Sequence, residues 1–110
     1  MSHMRKIEQQ MVKAINDRTN WCSGNTQVTY EEGNEISRVY LHGNLIASLQ
    51  GSVLHLYDGG WQTNTTKSRL NAFLSEFGLP NERVYQKNFD WFVRMRDGSS
   101  IPFFSSMRLA

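Results

Sequence analysis

The 110-residue chain reads as a small α+β domain. Three observations lead there. Two stretches carry apolar residues at helical spacing. Between them lie short alternating segments separated by Gly-Asn or Gly-Ser pairs, the pattern of an antiparallel β-meander. After the second helix a C-terminal β-hairpin and a short edge strand are predicted.

The length fits one domain, taken as residues 4–110, and a domain of that size buries roughly two-thirds of the surface its unfolded chain exposes. Trp21, Trp61 and Trp91 are spread along the chain, which favours an ordered core over disorder. Met1–His3 read as the remnant of an expression tag, with a natural start near Met4.

Met4–Arg18 is the first predicted helix. Ile7, Met11, Ala14 and Ile15 recur on one face. Asn20–Asn25 should end it in a turn around Gly24, with Trp21 clamping helix to sheet. Thr26–Glu31 alternates, placing Thr26, Val28 and Tyr30 on one side. Gly33-Asn34 then supplies a hairpin turn. Ile36–His42, Leu45–Gln50 and Val53–Asp58 complete the meander across Gly43-Asn44 and Gly51-Ser52. Leu45, Ala47 and Leu49 are expected to face one way.

Gly59-Gly60 releases the chain from the sheet. A helix through Phe77 follows, capped by Thr65 or Thr66. Leu70, Phe73, Leu74 and Phe77 form its apolar stripe, and Gly78 with Pro80 ends it. Arg83–Lys87 and Trp91–Arg96 form the predicted hairpin across Asn88-Phe89-Asp90. Trp91, Val93 and Met95 share one side; Phe92, Arg94 and Arg96 share the other. Ile101–Phe104 is the last strand, at an edge because of Pro102. Residues 105–110 read as a tail.

Composition narrows the functions. Cys22 is the only cysteine, so neither an intramolecular disulfide nor a cysteine-based zinc cluster can form within one chain. That fits a reducing compartment. Glu31, Glu32 and Glu35 form a solvated tip rather than a metal site, and no cofactor is expected. No apolar run approaches the ~18 residues of a membrane span, and no signal peptide appears; a cytoplasmic protein without a membrane partner is expected. His42, His55, Asp58 and Cys22 show no convergent catalytic arrangement, so the expectation is a protein that is not an enzyme. Edge strands leave homo-oligomerisation open.

Charge points to a partner. Net charge is +2, but residues 1–58 carry 5 Lys/Arg against 6 Asp/Glu and residues 59–110 carry 7 against 4. This bias permits a polyanion. Lys67 and Arg69 lie near the start of the second helix, where the macrodipole disfavours cations. Two explanations stand side by side: both cations extend into water, or an anion is held there by backbone N–H groups and threonine hydroxyls. The nucleic-acid site is therefore expected at Trp61, Thr65, Lys67, Arg69 and Asn71, with Arg83, Lys87, Arg94 and Arg96 of the hairpin. A basic, aromatic-laced ribbon suits phosphate contact and base stacking.

Two stretches, Tyr40-Leu41-His42-Gly43-Asn44-Leu45-Ile46-Ala47 and Gly60-Trp61-Gln62-Thr63-Asn64-Thr65-Thr66-Lys67-Ser68-Arg69-Leu70-Asn71-Ala72, resemble the LHGN.IA … GW.T.TTKSRLNA pattern of small phage-encoded proteins. Lys6-Ile7-Glu8-Gln9-Gln10-Met11 is similar to their start. The resemblance covers most of the chain up to Phe77. It implies a phage origin and a cytoplasmic setting in the infected bacterium, and it carries no mechanism. The expected function is thus a DNA- or RNA-binding accessory protein, DNA first. The alternative is a protein-binding modulator or inhibitor of a host enzyme or defence system, using Tyr30, Tyr40, Tyr57 and the acidic tip.

Overall fold

The computed structural model describes residues 4–60 and 62–109; Trp61 and the expected tag residues Met1–His3 lie outside them. Its elements are α1 (Lys6–Asp17), β1 (Trp21–Ser23), β2 (Thr26–Glu31), β3 (Ile36–Leu41), β4 (Asn44–Gln50), β5 (Val53–Leu56), α2 (Asn64–Phe77), β6 (Arg83–Lys87), β7 (Asp90–Arg94), β8 (Ser100–Pro102) and β9 (Met107–Leu109). The α+β order of helix, meander, helix and C-terminal strands is the one the sequence predicts.

Helix α1 buries Met11, Val12, Ala14 and Ile15 on its apolar face. Its start is half of a capping box. The Glu8 carboxylate accepts the Arg5 backbone N–H at 3.1 Å, while Arg5 has no side-chain acceptor to return. The chain reverses at Arg18, which adopts φ 55°. The stretch expected to be a turn then forms β1, pairing Trp21 with Val28 and Ser23 with Thr26. Trp21 is half-buried and packs against the core.

The larger sheet has the order β1-β2-β3-β4-β5-β9, and every pairing is antiparallel. Two differences from simple alternation matter. Between β3 and β4 the register shifts: Val39 pairs with Ala47 but Tyr40 pairs with Leu45. Ile46 is the extra residue of a β-bulge, so Ile46 and Ala47 are both buried. Leu45 moves to the side of Tyr40, away from Ala47 and Leu49, because directly paired residues share a face. The second difference is at the C-terminus. The expected tail is strand β9, which pairs Leu109 with Leu54 and Met107 with Leu56.

Helix α2 starts earlier than expected. Thr63, not Thr65 or Thr66, is the N-cap, and its Oγ1 accepts the Thr66 N–H at 3.1 Å. Gly78 is the C-cap of the helix, where the chain turns to an extended conformation, and glycine is needed there for steric reasons. Its φ is −81°, yet an added Cβ would sit 2.7 Å from the Leu74 carbonyl oxygen and 2.8 Å from Glu82 Oε1. The smaller sheet has the order β6-β7-β8, with Pro102 on its edge strand β8. One buried cluster unites both helices and both sheets; Met11, Val28, Ile46, Leu56, Phe73, Val84 and Val93 belong to it. Among the described residues no helix is long and apolar enough to cross a membrane.

Candidate nucleic-acid interface

The residues expected to bind one ligand fall into separate places. At the start of α2, Thr63, Thr65 and Thr66 line a cleft of about 400 Å³ together with Leu41, His42, Asn44, Ile46, Asp58 and Gly59. Its carboxylate is Asp58, whose Oδ1 accepts the Gly60 N–H at 2.9 Å. A carboxylate in the cleft opposes a phosphate there. The expected cations are elsewhere. Lys67 Nζ donates to Gln86 Oε1 at 3.1 Å and lies 5.9 Å from the Trp91 ring centroid. Lys67 therefore fastens α2 to the hairpin.

Arg69 is no surface ligand. It is 4% exposed. Its Nη1 donates to Glu8 Oε2 at 2.8 Å, its Nε to Thr26 Oγ1 at 3.0 Å, and its Nη2 to Asn25 Oδ1 at 3.4 Å. Ser68 Oγ also donates to Glu8 Oε2, and Thr26 Oγ1 donates to Asn25 Oδ1 at 2.8 Å. The network joins α1, α2 and the β1–β2 hairpin. The cation tolerated near a helix start is thus explained by an internal carboxylate rather than by an external anion. Glu8 is not among the site residues the sequence predicts. Its signal was an acid at i−3 and i−7 from Met11 and Ile15, on the apolar stripe.

Asn71 is likewise committed to the fold. Its Oδ1 accepts the Val84 N–H at 2.7 Å and its Nδ2 donates to the Val84 carbonyl at 3.0 Å. The amide stands where a neighbouring strand would stand, on the open side of β6.

The hairpin residues do converge. The β6–β7 register pairs Arg83 with Arg94, Tyr85 with Phe92 and Lys87 with Asp90. Val84 and Val93 alternate with these pairs and are buried, so Arg83, Tyr85, Lys87, Asp90, Phe92 and Arg94 share the outer face. Tyr85 and Phe92 stack with centroids 5.7 Å apart and planes at 24°. The Arg94 guanidinium lies 5.7 Å from the Tyr85 centroid. Tyr85 Oη donates to Ser100 Oγ of β8 at 2.7 Å, which holds the ring in place. The result is a row of guanidinium, phenol and phenyl groups flanked by Arg83 and Lys87. Arg96 is exposed in the turn after β7. Beside it, hydrogen bonds from Ser99 hold the Asp97 carboxyl below its ordinary pKa. Phe89, at the hairpin tip, was also passed over in the sequence; it is 91% exposed.

The remaining candidates stay apart. Tyr40 and Tyr57 lie on the outer side of the larger sheet, whereas Tyr30 follows Thr26 and Val28 on the core side, so the three tyrosines do not form one surface. At the acidic tip, Glu31 accepts from Asn34 and Arg38, and these bonds lower its pKa. Among the described residues no group of three His, Cys, Asp or Glu side chains is placed to hold a metal ion.

A family model described as Kyanoviridae Gp96 protein matches residues 4–110. No curated protein and no solved structure matches the chain.

Proposed function

The chain belongs to the Kyanoviridae Gp96 family, a family of small phage proteins, and from that premise we propose that it is an accessory protein that binds single-stranded nucleic acid, DNA first. The strand lies across the outer face of β6-β7-β8 in the cytoplasm of the infected host. One observation carries this reading: the Arg94–Tyr85–Phe92 row between Arg83 and Lys87. Aromatic rings and guanidinium planes are surfaces on which unpaired bases stack, and flanking cations meet the backbone phosphates. Paired bases hide their faces in the duplex, so a stacking platform selects single strands. The Asp58 cleft at the helix start is left out of the site.

Fluorescence anisotropy with labelled oligodeoxynucleotides tests the proposal. The expected result is a preference for single strands. With three phosphates neutralised by Arg83, Lys87 and Arg94, log K should fall against log salt with a slope of about −2. Reversing Arg83 and Arg94 together to Glu should abolish binding and leave the fold intact, since both are exposed. Failure of the parent protein to bind any oligonucleotide at low salt would sink the reading.

The acidic tip favours a second reading, a modulator of a host protein. Glu31, Glu32 and Glu35 gather at the β2–β3 turn, as a mimic of nucleic acid requires. A single stoichiometric partner that stays bound after nuclease treatment of host lysate would support it.

A further inference from the structure

Phe89 departs from two regularities at once. Asn88 and Phe89 form a two-residue hairpin turn in which both have positive φ, 52° and 69°. Such turns favour Gly at the second position, and a bulky residue there is an outlier. The side chain gains nothing from packing in return, being 91% exposed. A residue neither favoured by its backbone nor buried in its own chain is suited to a contact outside it.

The surroundings indicate the contact. Among the described residues the other large exposed apolar side chains are Leu79, Ile101 and Phe104, none of them in this turn. Phe89 is a lone ring at a tip, whereas a protein-docking patch needs a contiguous apolar area. Lys87 stands just before the turn, on the face that carries Arg83 and Arg94. Phe92 is three residues on, about 10 Å along the strand, or about three base steps of 3.4 Å.

We propose that Phe89 is a wedge that inserts between successive bases of a bound single strand and sets its register on the ribbon. The inference rests on the nucleic-acid reading above. An isolated apolar side chain between bases unstacks them locally, and the strand then continues onto the Arg94–Tyr85–Phe92 row.

The test uses the full chain, its Phe89→Gly variant and a short oligodeoxyadenylate carrying 2-aminopurine at successive positions. Insertion separates 2-aminopurine from its neighbours and raises its emission at one position. The parent protein should show that rise. Phe89→Gly should bind about tenfold more weakly, lose the rise, and keep the salt slope. Its thermal midpoint should not fall, because glycine accepts the positive φ. If Phe89→Gly retains both affinity and the rise, the wedge is overturned while the platform stands. If the parent protein itself does not bind, both are overturned.

Discussion

Arg69 shows how one side chain changes meaning between sequence and structure. Near a helix start it looks like an anion ligand; folded, it forms a buried pair with Glu8. Removing one member of such a pair strands a charge and typically costs about 3–5 kcal/mol, whereas replacing both with apolar groups is often neutral or stabilising. Glu8→Gln and Arg69→Met should therefore each lower the urea-unfolding free energy by several kcal/mol. The double variant Glu8→Leu/Arg69→Met should lose much less than the two losses added together. Additive losses would show that the pair is not coupled. The pairing was partly legible in the sequence. Glu8 lies on the stripe of Met11 and Ile15, and Arg69 lies four residues before Phe73 on the stripe of α2. Opposite charges on two apolar stripes suggest a buried pair, but neither spacing says that the two helices meet.

At the scale of elements, period-two alternation located β2 and β6 to the residue. It failed where backbone rather than side chains decides. The bulge at Ile46 adds one residue to β4 and leaves no mark that alternation can detect. The α2 cap moved from Thr65 or Thr66 to Thr63 because three threonines in four residues offer several hydroxyls, and only the path of the chain selects one. Asn71 is the clearest example. Its amide completes the hydrogen bonding of Val84 in β6, a role that needs a side chain from one element beside the backbone of another. Asn71→Ala leaves two backbone groups unpaired, at about 1–3 kcal/mol each when kept from water. A loss of about 2 kcal/mol is expected by denaturant unfolding, with amide exchange fastest at Val84. Unchanged protection at Val84 would show that the Asn71 amide is not what shields this N–H, and faster exchange without loss of stability would show that water replaces the amide without cost. Of the candidate site, the hairpin was legible because its cations and rings recur every second residue; the part built on α2 was not.

At the scale of the whole molecule, the C-terminal strand decides whether the larger sheet is closed at β5. Residues 105–110 have the look of a tail: they are short, contain two serines and follow Pro102. Yet Met107 and Leu109 are 1% and 3% exposed, and they cover Leu56 and Leu54 through the β5–β9 pairing. Burying each of these side chains is worth about 1.5–3 kcal/mol. Deleting residues 105–110 thus removes roughly 3–6 kcal/mol from a domain whose total stability is of order 5–15 kcal/mol. The deletion also exposes β5 as an edge with apolar residues on its core side, a template for pairing with another chain. The truncated protein should unfold at a clearly lower denaturant midpoint and self-associate as concentration rises, measured by urea titration and sedimentation. Arg108→Ala serves as the control, since Arg108 is exposed between the two buried residues and its loss should leave both measurements unchanged. The Arg94–Tyr85–Phe92 row, the platform proposed to bind nucleic acid, belongs to the other sheet and is joined to this one through the shared core. Truncated protein that remains folded at low temperature should therefore still bind oligonucleotide. A truncated chain as stable as the parent would mean that β9 adds nothing to the sheet it joins.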